Sequence, residues 1–406
     1  MRVHNGLVPR ALLLENIHPL AVQLLTDTGY DVTSLKGALD ESELIEALDG
    51  VSLLGIRSKT QVTEAVLAAS SLDAVGAFCI GTNQVDLTAA AARGVAVFNA
   101  PFSNTRSVVE LAVGEIIALT RRLTVQNSSL HKGVWNKSAD GAHEVRGRTL
   151  GIVGYGNIGT QLSVVAEALG MRVVFYDTAE KLSLGNAHRL PSLDALLAEA
   201  DIVTLHVDGR PGNAGMFGAA QFAAMRDGAI FLNLSRGFLV DYAALRDRIL
   251  DGSLAGAAVD VFPHEPKSKG DSFESDLRGL PNVILTPHIG GSTEEAQHDI
   301  GQFVATKLRD YGRSGATNLS VNIPGLVLDA PREGSERIAL LHRNVPGVMA
   351  QLNDALADSG ANVEYQVLGT WGQFGYAVTD VVGGVTSEVI ERISAMPTTI
   401  RVRHLG

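Results

Sequence analysis

A glycine-rich turn between an apolar strand and a helix restricts the fold of this chain more than any other feature. Residues 149–153 (TLGIV) are apolar, and Gly154-Tyr155-Gly156-Asn157-Ile158-Gly159 follows them directly. A helical pattern covers Asn157–Leu169, and the next strand, Arg172–Tyr176, ends at Asp177. This strand–turn–helix–strand order predicts a parallel sheet with a dinucleotide site at the start of the helix.

The three glycines and the acidic residue each have a physical role in that interpretation. Gly154 permits the tight turn, Gly156 lets the backbone approach a pyrophosphate, and Gly159 lets the helix pack closely on the strand. Asp177 would accept hydrogen bonds from the ribose hydroxyls and repel a 2′-phosphate, which predicts NAD rather than NADP. The alternative is a plain strand–helix turn in a flavodoxin-like domain.

The chain has 406 residues, more than one compact core supports, so several domains are expected. Short apolar strands alternate with helical segments on both sides of a long helix predicted over Thr105–Leu123, and this alternation predicts two parallel sheets. The first set of strands is Ala11–Leu14, Val51–Ile56, Ala74–Ala77 and Val95–Phe98. The second is Thr149–Val153, Arg172–Tyr176, Ile202–Leu205, Ala229–Asn233, Gly256–Val259 and Val283–Leu285.

The composition and the predicted order of elements change near the C-terminus. A helix predicted at Thr293–Tyr311 is followed by a segment rich in glycine and proline, 312–334, which indicates a linker. The remaining residues predict strand, helix, two strands, helix and strand. That order is typical of a small ferredoxin-like domain.

Composition excludes several classes of function. The net charge is −11, which argues against nucleic acid or an anionic membrane as the main partner, and no apolar run approaches the roughly 20 residues of a membrane span. The only cysteine, Cys79, excludes an intrachain disulfide and a multi-thiolate metal site, so no metal centre is expected. The N-terminus lacks the pattern of a signal peptide. These features predict a cytoplasmic protein.

Three further polar segments, 233–237, 260–266 and 285–292, begin where later strands end, which is where ligands bind in open parallel sheets. They contain Arg236, Glu265 and His288. Arginine can hold a carboxylate and polarise a carbonyl, and histidine can exchange a proton near neutral pH. A glutamate beside the histidine would orient the ring and favour its charged form. Together these residue types suit hydride transfer between a nicotinamide and a 2-hydroxy acid.

Nearly the whole chain resembles the D-isomer-specific 2-hydroxyacid dehydrogenases, within them a form with one C-terminal ACT domain. The resemblance is carried by the three segments above and by Cys79–Asp86, Phe98–Ser107 and Gly133–Lys137. It implies that Arg236, Glu265 and His288 are catalytic. It also implies that NAD is bound by Gly154, Gly156, Asn157, Ile158, Gly159, Asp177, Leu234, Ser235, Arg236, Asp260, His288, Ile289, Gly290 and Gly291.

The implied fold is α/β: a doubly wound Rossmann nucleotide domain inserted in a flavodoxin-like, doubly wound substrate domain, plus a ferredoxin-like βαββαβ ACT domain. The expected boundaries are 1–102 with 290–318 for the substrate domain, 103–289 for the NAD domain, 319–335 for a linker and 336–406 for the ACT domain.

The expected substrate is phosphorylated, because cationic side chains stand in segments that the resemblance places near the active site of an otherwise acidic chain. The resemblance implies NAD-dependent oxidation of 3-phosphoglycerate in L-serine biosynthesis. The substrate residues expected are Arg57, Ser58, Asn104, Lys36, Trp135 and Lys137, with Trp135 and Lys137 reaching in from a neighbouring subunit of a homotetramer.

The ACT-like segment implies feedback inhibition by L-serine, bound by His342, Asn344 and Asn362. Two departures from the usual pattern bear on this expectation: Arg343 stands where relatives often have Glu, and Gly334-Ser335 stands where relatives can have paired glycines. A domain used only for oligomerisation is the alternative.

Two other functions stay open from the sequence. A D-lactate, formate or glyoxylate dehydrogenase of the same fold would share the catalytic trio but would not need Arg57 and Lys59. A non-enzymatic NAD-sensing corepressor is the alternative from a different class.

Overall fold

The computed structural model describes residues 8–266, 270–383 and 385–405. Its contacts divide the chain into two compact units. Unit 1 comprises Met1–Pro101 and Gln297–Gly406, and unit 2 comprises Phe102–Ala296. Each is built from strands and helices in alternation, as the sequence predicts.

Unit 1 contains a five-stranded parallel sheet in the order β2-β1-β3-β4-β5. The sheet confirms the four predicted strands and adds β2, whose polar, largely exposed residues suit an edge strand and hid it from the apolar pattern. The strands are β1 Arg10–Leu13, β2 Asp31–Ser34, β3 Val51–Ile56, β4 Ala74–Ala77 and β5 Ala96–Phe98. The helices between them are α1 Pro19–Asp27, α2 Glu41–Ala47, α3 Glu64–Ala69 and α4 Leu87–Ala92.

Unit 2 contains a seven-stranded sheet in the order β12-β11-β10-β9-β6-β7-β8, with all neighbours parallel. All six predicted strands are present, and β8 is an additional short edge strand. The strands are β6 Thr149–Val153, β7 Arg172–Tyr176, β8 His188–Arg189, β9 Ile202–Leu205, β10 Ala229–Asn233, β11 Leu254–Val259 and β12 Val283–Leu285.

The helices of unit 2 cover its sheet, and the first of them is shorter than predicted. The expected single helix to Leu123 ends at Thr120, because Arg122 adopts a left-handed conformation (φ 52°) that cannot continue a right-handed helix. A second, polar helix follows. The helices are α5 Thr105–Thr120, α6 Leu123–His131, α7 Asn157–Ala168, α8 Leu193–Glu199, α9 Ala219–Ala224 and α10 Tyr242–Leu250.

Helix α11 (Glu294–Ser314) leads back into unit 1, where Val304 and Leu308 pack so closely over Gly76 that a side chain there would overlap them. The residues after it, expected to form a linker, contain no helix or strand, but part of this stretch is bound to β5. Val321 donates its N–H to Val97 O at 2.9 Å. Asn322 Oδ1 accepts from Val97 N at 2.9 Å.

The C-terminal part of unit 1 is a four-stranded antiparallel sheet in the order β14-β15-β13-β16. The predicted βαββαβ order is confirmed. Helices α12 and α13 share one core with this sheet, and side chains of β13 and β15 join the core of the first sheet. The elements are β13 Glu336–Arg343, α12 Val348–Asp358, β14 Asn362–Trp371, β15 Phe374–Val382, α13 Ser387–Ser394 and β16 Thr399–Leu405.

Arg337 is a buried residue of this small sheet that makes an ion pair and several hydrogen bonds. Its guanidinium is 2% exposed and binds both carboxylate oxygens of Asp380, at 2.6 and 2.7 Å. The remaining nitrogen donates to the carbonyl oxygens of Ser314 and Asp329, at 2.9 and 2.6 Å. One buried side chain therefore links β13, β15, the end of α11 and the following segment.

Within the described ranges, no helix is both long enough and apolar enough to cross a bilayer. In the same part of the chain, no group of three or more His, Cys, Asp or Glu side chains is placed to hold a metal ion.

We expect Arg337→Met to lower the free energy of unfolding by about 3–5 kcal/mol, because it leaves the Asp380 charge buried without its partner. Arg392→Met is the control, since the pair of Arg392 with Asp358 is exposed and should contribute less than about 1 kcal/mol. Urea denaturation of both variants tests this. Equal losses in the two would contradict the role assigned to Arg337.

Candidate active site

The glycine turn after β6 has the geometry that a dinucleotide diphosphate requires. Gly154 has φ 93°, and a side chain there would meet His206 O at 2.6 Å. A side chain on Gly159 would overlap the carbonyl oxygen of Gly154, whereas one on Gly156 would meet no atom within 4 Å. Two glycines are thus required by packing, and Gly156 leaves open space at the N-terminus of α7.

Asp177 lies directly after β7, where it is partly exposed to solvent and is hydrogen-bonded to the glycine turn. Its Oδ2 accepts from Tyr155 N at 2.8 Å, and its Oδ1 accepts from Ala179 N at 2.8 Å. Asn157 and Ile158 are the first two residues of α7. The donors of the turn and this carboxylate fit the diphosphate and the ribose of NAD.

Asp260, at the end of β11, holds the loop that carries His288. Its carboxylate is buried (1% exposed) and accepts from Thr286 Oγ1 at 2.6 Å and from the N–H groups of Ile289 and Gly290, both at 2.8 Å. The backbone of His288 is left-handed, with φ 54°. These bonds hold His288 in a conformation that a free chain rarely adopts.

His288 and Glu265 form a hydrogen-bonded pair in the candidate active site. His288 Nδ1 lies 2.9 Å from Glu265 Oε2 and 3.1 Å from Oε1, and Phe262 N donates to Oε1 at 3.1 Å. Burial alone raises the pKa of Glu265, but the hydrogen bond and charge of His288, the Phe262 N–H and the Arg236 charge together lower it below its ordinary value. The ionised carboxylate accepts Nδ1–H, which leaves Nε2 as the nitrogen for proton exchange.

Arg236 follows β10 and lies close enough to influence Glu265 electrostatically. Its Nη1 donates to Ser235 O at 2.7 Å. The next residue, Gly237, packs on the Phe262 backbone so tightly that a side chain would overlap it. This contact brings the loops after β10 and β11 together, and the predicted trio is therefore assembled within unit 2.

Asn233 organises the Arg236 loop and was not among the expected site residues. It is fully buried, and its Nδ2 donates to Arg236 O and to Tyr242 Oη, both at 3.0 Å. Its Oδ1 accepts from Ser235 N at 3.1 Å. The available signal was a polar residue at the inner end of an otherwise apolar strand.

Leu234 and Ser235, both expected NAD contacts, are largely buried, and Ser235 Oγ donates to Leu205 O at 2.6 Å.

The expected contacts Gly290 and Gly291 lie in the loop held by Asp260. A side chain on Gly291 would overlap the Asn104 amide. Within the described part of the chain, Asn104 Oδ1 is buried and has no hydrogen-bond partner.

Sequence reasoning also did not select Glu115 of α5 as a site residue, because a single polar residue in a helix carries no signal of function. It is 4% exposed, and neither carboxylate oxygen has a hydrogen-bond partner among the described residues. Burial and then the nearby charge of Asp260 raise the pKa of Glu115 to about 8. Near neutral pH it is therefore mostly an uncharged acid next to the residue that positions His288.

The other expected substrate residues occupy different places. Lys36 and Arg57-Ser58 belong to unit 1, in the loops after β2 and β3, where Arg57 is half-buried and the other two are exposed. Trp135 and Lys137 belong to unit 2, in a segment between α6 and β6. Trp135 is 80% exposed, although it is large and apolar.

The expected serine residues do not converge within one chain. His342 is buried in β13, and its ring packs against Gly375. Asn344 Nδ2 donates to Gly372 O, in the turn between β14 and β15, at 3.2 Å. Asn362 starts β14 opposite Val382, at the far end of a strand of 10 residues. That is roughly 30 Å from the turn, at about 3.3 Å per residue.

The fold and these side chains define a dinucleotide-dependent oxidoreductase, and comparisons with known proteins agree. Residues 113–290 match the model of the D-isomer specific 2-hydroxyacid dehydrogenase NAD binding domain. Residues 338–401 match an AHAS small subunit-like ACT domain.

Curated relatives resemble the chain over nearly its whole length. D-3-phosphoglycerate dehydrogenase of Haemophilus influenzae is 49% identical, covering 97% of this chain and 96% of the relative. Its counterpart in Escherichia coli is 48% identical, covering 97% of each. Among solved structures, D-lactate dehydrogenase from Aquifex aeolicus matches with a TM-score of 0.66 and 25% identity, covering 74% of this chain and 95% of that one.

The chain belongs to the D-3-phosphoglycerate dehydrogenase family of the D-isomer-specific 2-hydroxyacid dehydrogenases. It is an NAD-dependent oxidoreductase with an ACT domain. The expectations on fold class, enzyme class and cofactor are therefore confirmed.

Glu115→Gln should change the pH dependence of stability. The unfolded chain releases this proton near pKa 4.5 and the folded protein near about 8. The stabilisation from the neutral carboxyl is thus complete below about pH 4.5 and is lost as pH rises through about 8. We expect the variant to gain a few kcal/mol on the wild type over that window, measured by urea denaturation. Glu110→Gln, on the exposed side of α5, is the control, and parallel curves for all three proteins would contradict the assignment.

Proposed function

We propose that the protein oxidises 3-phospho-D-glycerate to 3-phosphohydroxypyruvate with NAD, the first step of L-serine biosynthesis. The observation that carries this proposal is the bifurcated hydrogen bond of His288 Nδ1 with both oxygens of Glu265, next to Arg236. The names of the full-length relatives support the choice of substrate. The single cysteine and the biosynthetic role of such relatives also support a cytoplasmic location.

His288 supplies the proton chemistry in this proposal. Since Glu265 accepts Nδ1–H, the unprotonated Nε2 can take the proton of the C2 hydroxyl, and the Glu265 carboxylate stabilises the imidazolium that forms. NAD, when bound, would supply the acceptor for the hydride of C2. In the reverse direction the same imidazolium returns the proton.

Arg236 holds the substrate carboxylate and stabilises the carbonyl that develops at C2. Among the described residues its hydrogen bond is to Ser235 O through Nη1, and the other donors of the guanidinium are proposed to bind the substrate. Asn104 is proposed as a further contact, supported by its position at the start of α5 with its amide against Gly291.

Arg57, Ser58 and Lys36 are proposed to bind the anionic groups of the substrate. Their support is the cluster of positive charge after β2 and β3 in a chain whose net charge is −11. Trp135 and Lys137 are proposed to contribute from a neighbouring subunit, supported by the 80% exposure of Trp135.

L-serine is proposed as a feedback inhibitor bound between two small sheets of a homotetramer. β14 is an edge strand with exposed apolar side chains such as Leu368 and Trp371, which suits pairing with a second copy. Antiparallel pairing of two β14 edges would bring Asn362 of one copy to the end of the sheet where Asn344 of the other lies. The separation of the two residues within one chain supports a site that needs both copies.

His288→Ala and Arg236→Ala should each lower kcat/KM for 3-phosphoglycerate by about 10²–10⁴, because each removes an acid–base or electrostatic group. NADH formation is followed by absorbance. His298→Ala, an exposed histidine of α11, and Arg392→Ala are matched controls that should retain wild-type rates.

Near-normal turnover in either active-site variant would refute the assigned trio. Comparing 3-phosphoglycerate with lactate and glycerate in the wild type tests the substrate, since a preference for either unphosphorylated acid would indicate another dehydrogenase of this fold. If the protein keeps its biological activity when His288→Ala abolishes turnover, it would instead be an NAD-sensing corepressor.

Serine should inhibit the wild-type enzyme, and Asn344→Ala should raise the inhibitory concentration at least about fivefold, the lower range of an allosteric coupling. Asn353→Ala, on α12 of the same small domain, is the control that keeps wild-type inhibition. Absence of serine binding to the wild type in calorimetry would reduce the small domain to an oligomerisation module.

A further inference from the structure

Glu15, two residues beyond the end of β1, has an unusual backbone and an unusual environment. Both Glu15 and Asn16 are left-handed, with φ 63° and 55°. Such conformations cost about 1 kcal/mol or more each in residues other than glycine, and they persist only where the surroundings enforce them. Glu15 is also an acidic residue that is only 7% exposed. The strained turn and the buried carboxylate therefore require partners.

The carboxylate of Glu15 finds its partners in the loop after β3. Oε1 accepts from Arg57 N at 3.1 Å and from Thr60 N at 2.9 Å. Oε2 accepts from Lys59 N at 3.0 Å. These three charge-assisted bonds occupy the backbone donors of Arg57, Lys59 and Thr60. Glu15 therefore fixes the backbone of the loop that carries the Arg57 side chain.

The strained backbone of the same turn holds a second loop, the one after β2. Glu15 donates its N–H to Gly37 O at 3.0 Å, and Asn16 donates its N–H to Leu35 O at 3.2 Å. Lys36 stands between these two acceptors. One turn of two residues thus sets the conformation of both loops that carry the proposed substrate residues of unit 1.

The peptide of Arg57 is held from the other side as well. Gln84 is 3% exposed, and its Nε2 donates to Arg57 O at 2.7 Å and to Gly81 O at 3.2 Å. The N–H of Arg57 is bound by Glu15 and its C=O by Gln84. The start of the Arg57 side chain is consequently fixed in position, while Ser58 and Lys59 are exposed.

We propose that Glu15 is a positioning residue for substrate recognition, which holds the loops of Lys36 and Arg57 so that their side chains face the anionic groups of the substrate. This inference rests on the proposed function, because it assumes that these two loops contact the substrate. Gln84 assists from the opposite side of the Arg57 peptide.

Glu15→Gln tests this inference with little change in size. A glutamine amide cannot accept at both ends, so at least one of the three backbone donors loses its partner. We expect KM for 3-phosphoglycerate to rise on the order of tenfold, with a smaller change in kcat and with KM for NAD unchanged. Glu41→Gln, a partly matched control whose carboxylate accepts from Thr63 in the same unit, should leave all three constants unchanged.

A double-mutant cycle separates positioning from a general loss of stability. If Glu15 acts through the Arg57 loop, adding Glu15→Gln to Arg57→Ala should change KM for 3-phosphoglycerate by less than about twofold. A merely structural role predicts independent effects and a lower melting temperature without a selective rise in KM. A wild-type KM in a folded Glu15→Gln protein would overturn the inference and leave the proposed function intact.

If Glu15→Gln does not fold, Gln84→Ala provides a second test. It removes the hydrogen bond to the Arg57 carbonyl oxygen without removing a buried charge. A selective rise in KM for 3-phosphoglycerate is again expected, and an unchanged KM again overturns the inference. If the wild type does not oxidise 3-phosphoglycerate, the proposed function fails instead, and the same constants are measured with the 2-hydroxy acid that it does oxidise.

Discussion

The three hydrogen bonds that the buried Asp260 carboxylate accepts are the constraint on which the proposed catalytic geometry depends. They hold Thr286, Ile289 and Gly290 in one loop, and the left-handed residue between them is His288. Because the imidazole is placed by this loop, its contact with Glu265 follows from Asp260. A buried carboxylate suits this task, since its oxygens accept several N–H groups at once and each bond is strengthened by the charge.

The same arrangement recurs at two other strand ends. Asp177 after β7 accepts from the N–H of Tyr155 in the glycine turn, and Glu15 after β1 accepts from three N–H groups of the loop after β3. In each case an acidic side chain at the carboxyl end of a parallel strand ties down a neighbouring loop. Loops at this edge carry binding and catalytic residues in open parallel sheets, so anchoring them pre-organises the chemistry.

Much of the candidate site could be predicted from local sequence. Arg236, Glu265 and His288 each follow an apolar strand, and the ends of parallel strands lie along one edge of a sheet. Glu115 could not be predicted in this way, because its relation to Asp260 joins residues far apart in sequence through the packing of α5. The strand β2 was missed for a related reason: polar edge residues lack the apolar pattern on which strand prediction depends.

The sequence by itself determined the apolar strands and most of the helices, the glycine turn and the acidic residue expected to favour NAD, because these depend on neighbours along the chain. Tertiary structure alone decided which imidazole nitrogen of His288 faces a carboxylate, that Glu115 is protonated near neutral pH, and that Asn344 and Asn362 lie at opposite ends of β14. The physical reason is that hydrogen bonding, burial and pKa depend on groups brought together by the sheets, whatever their separation along the chain.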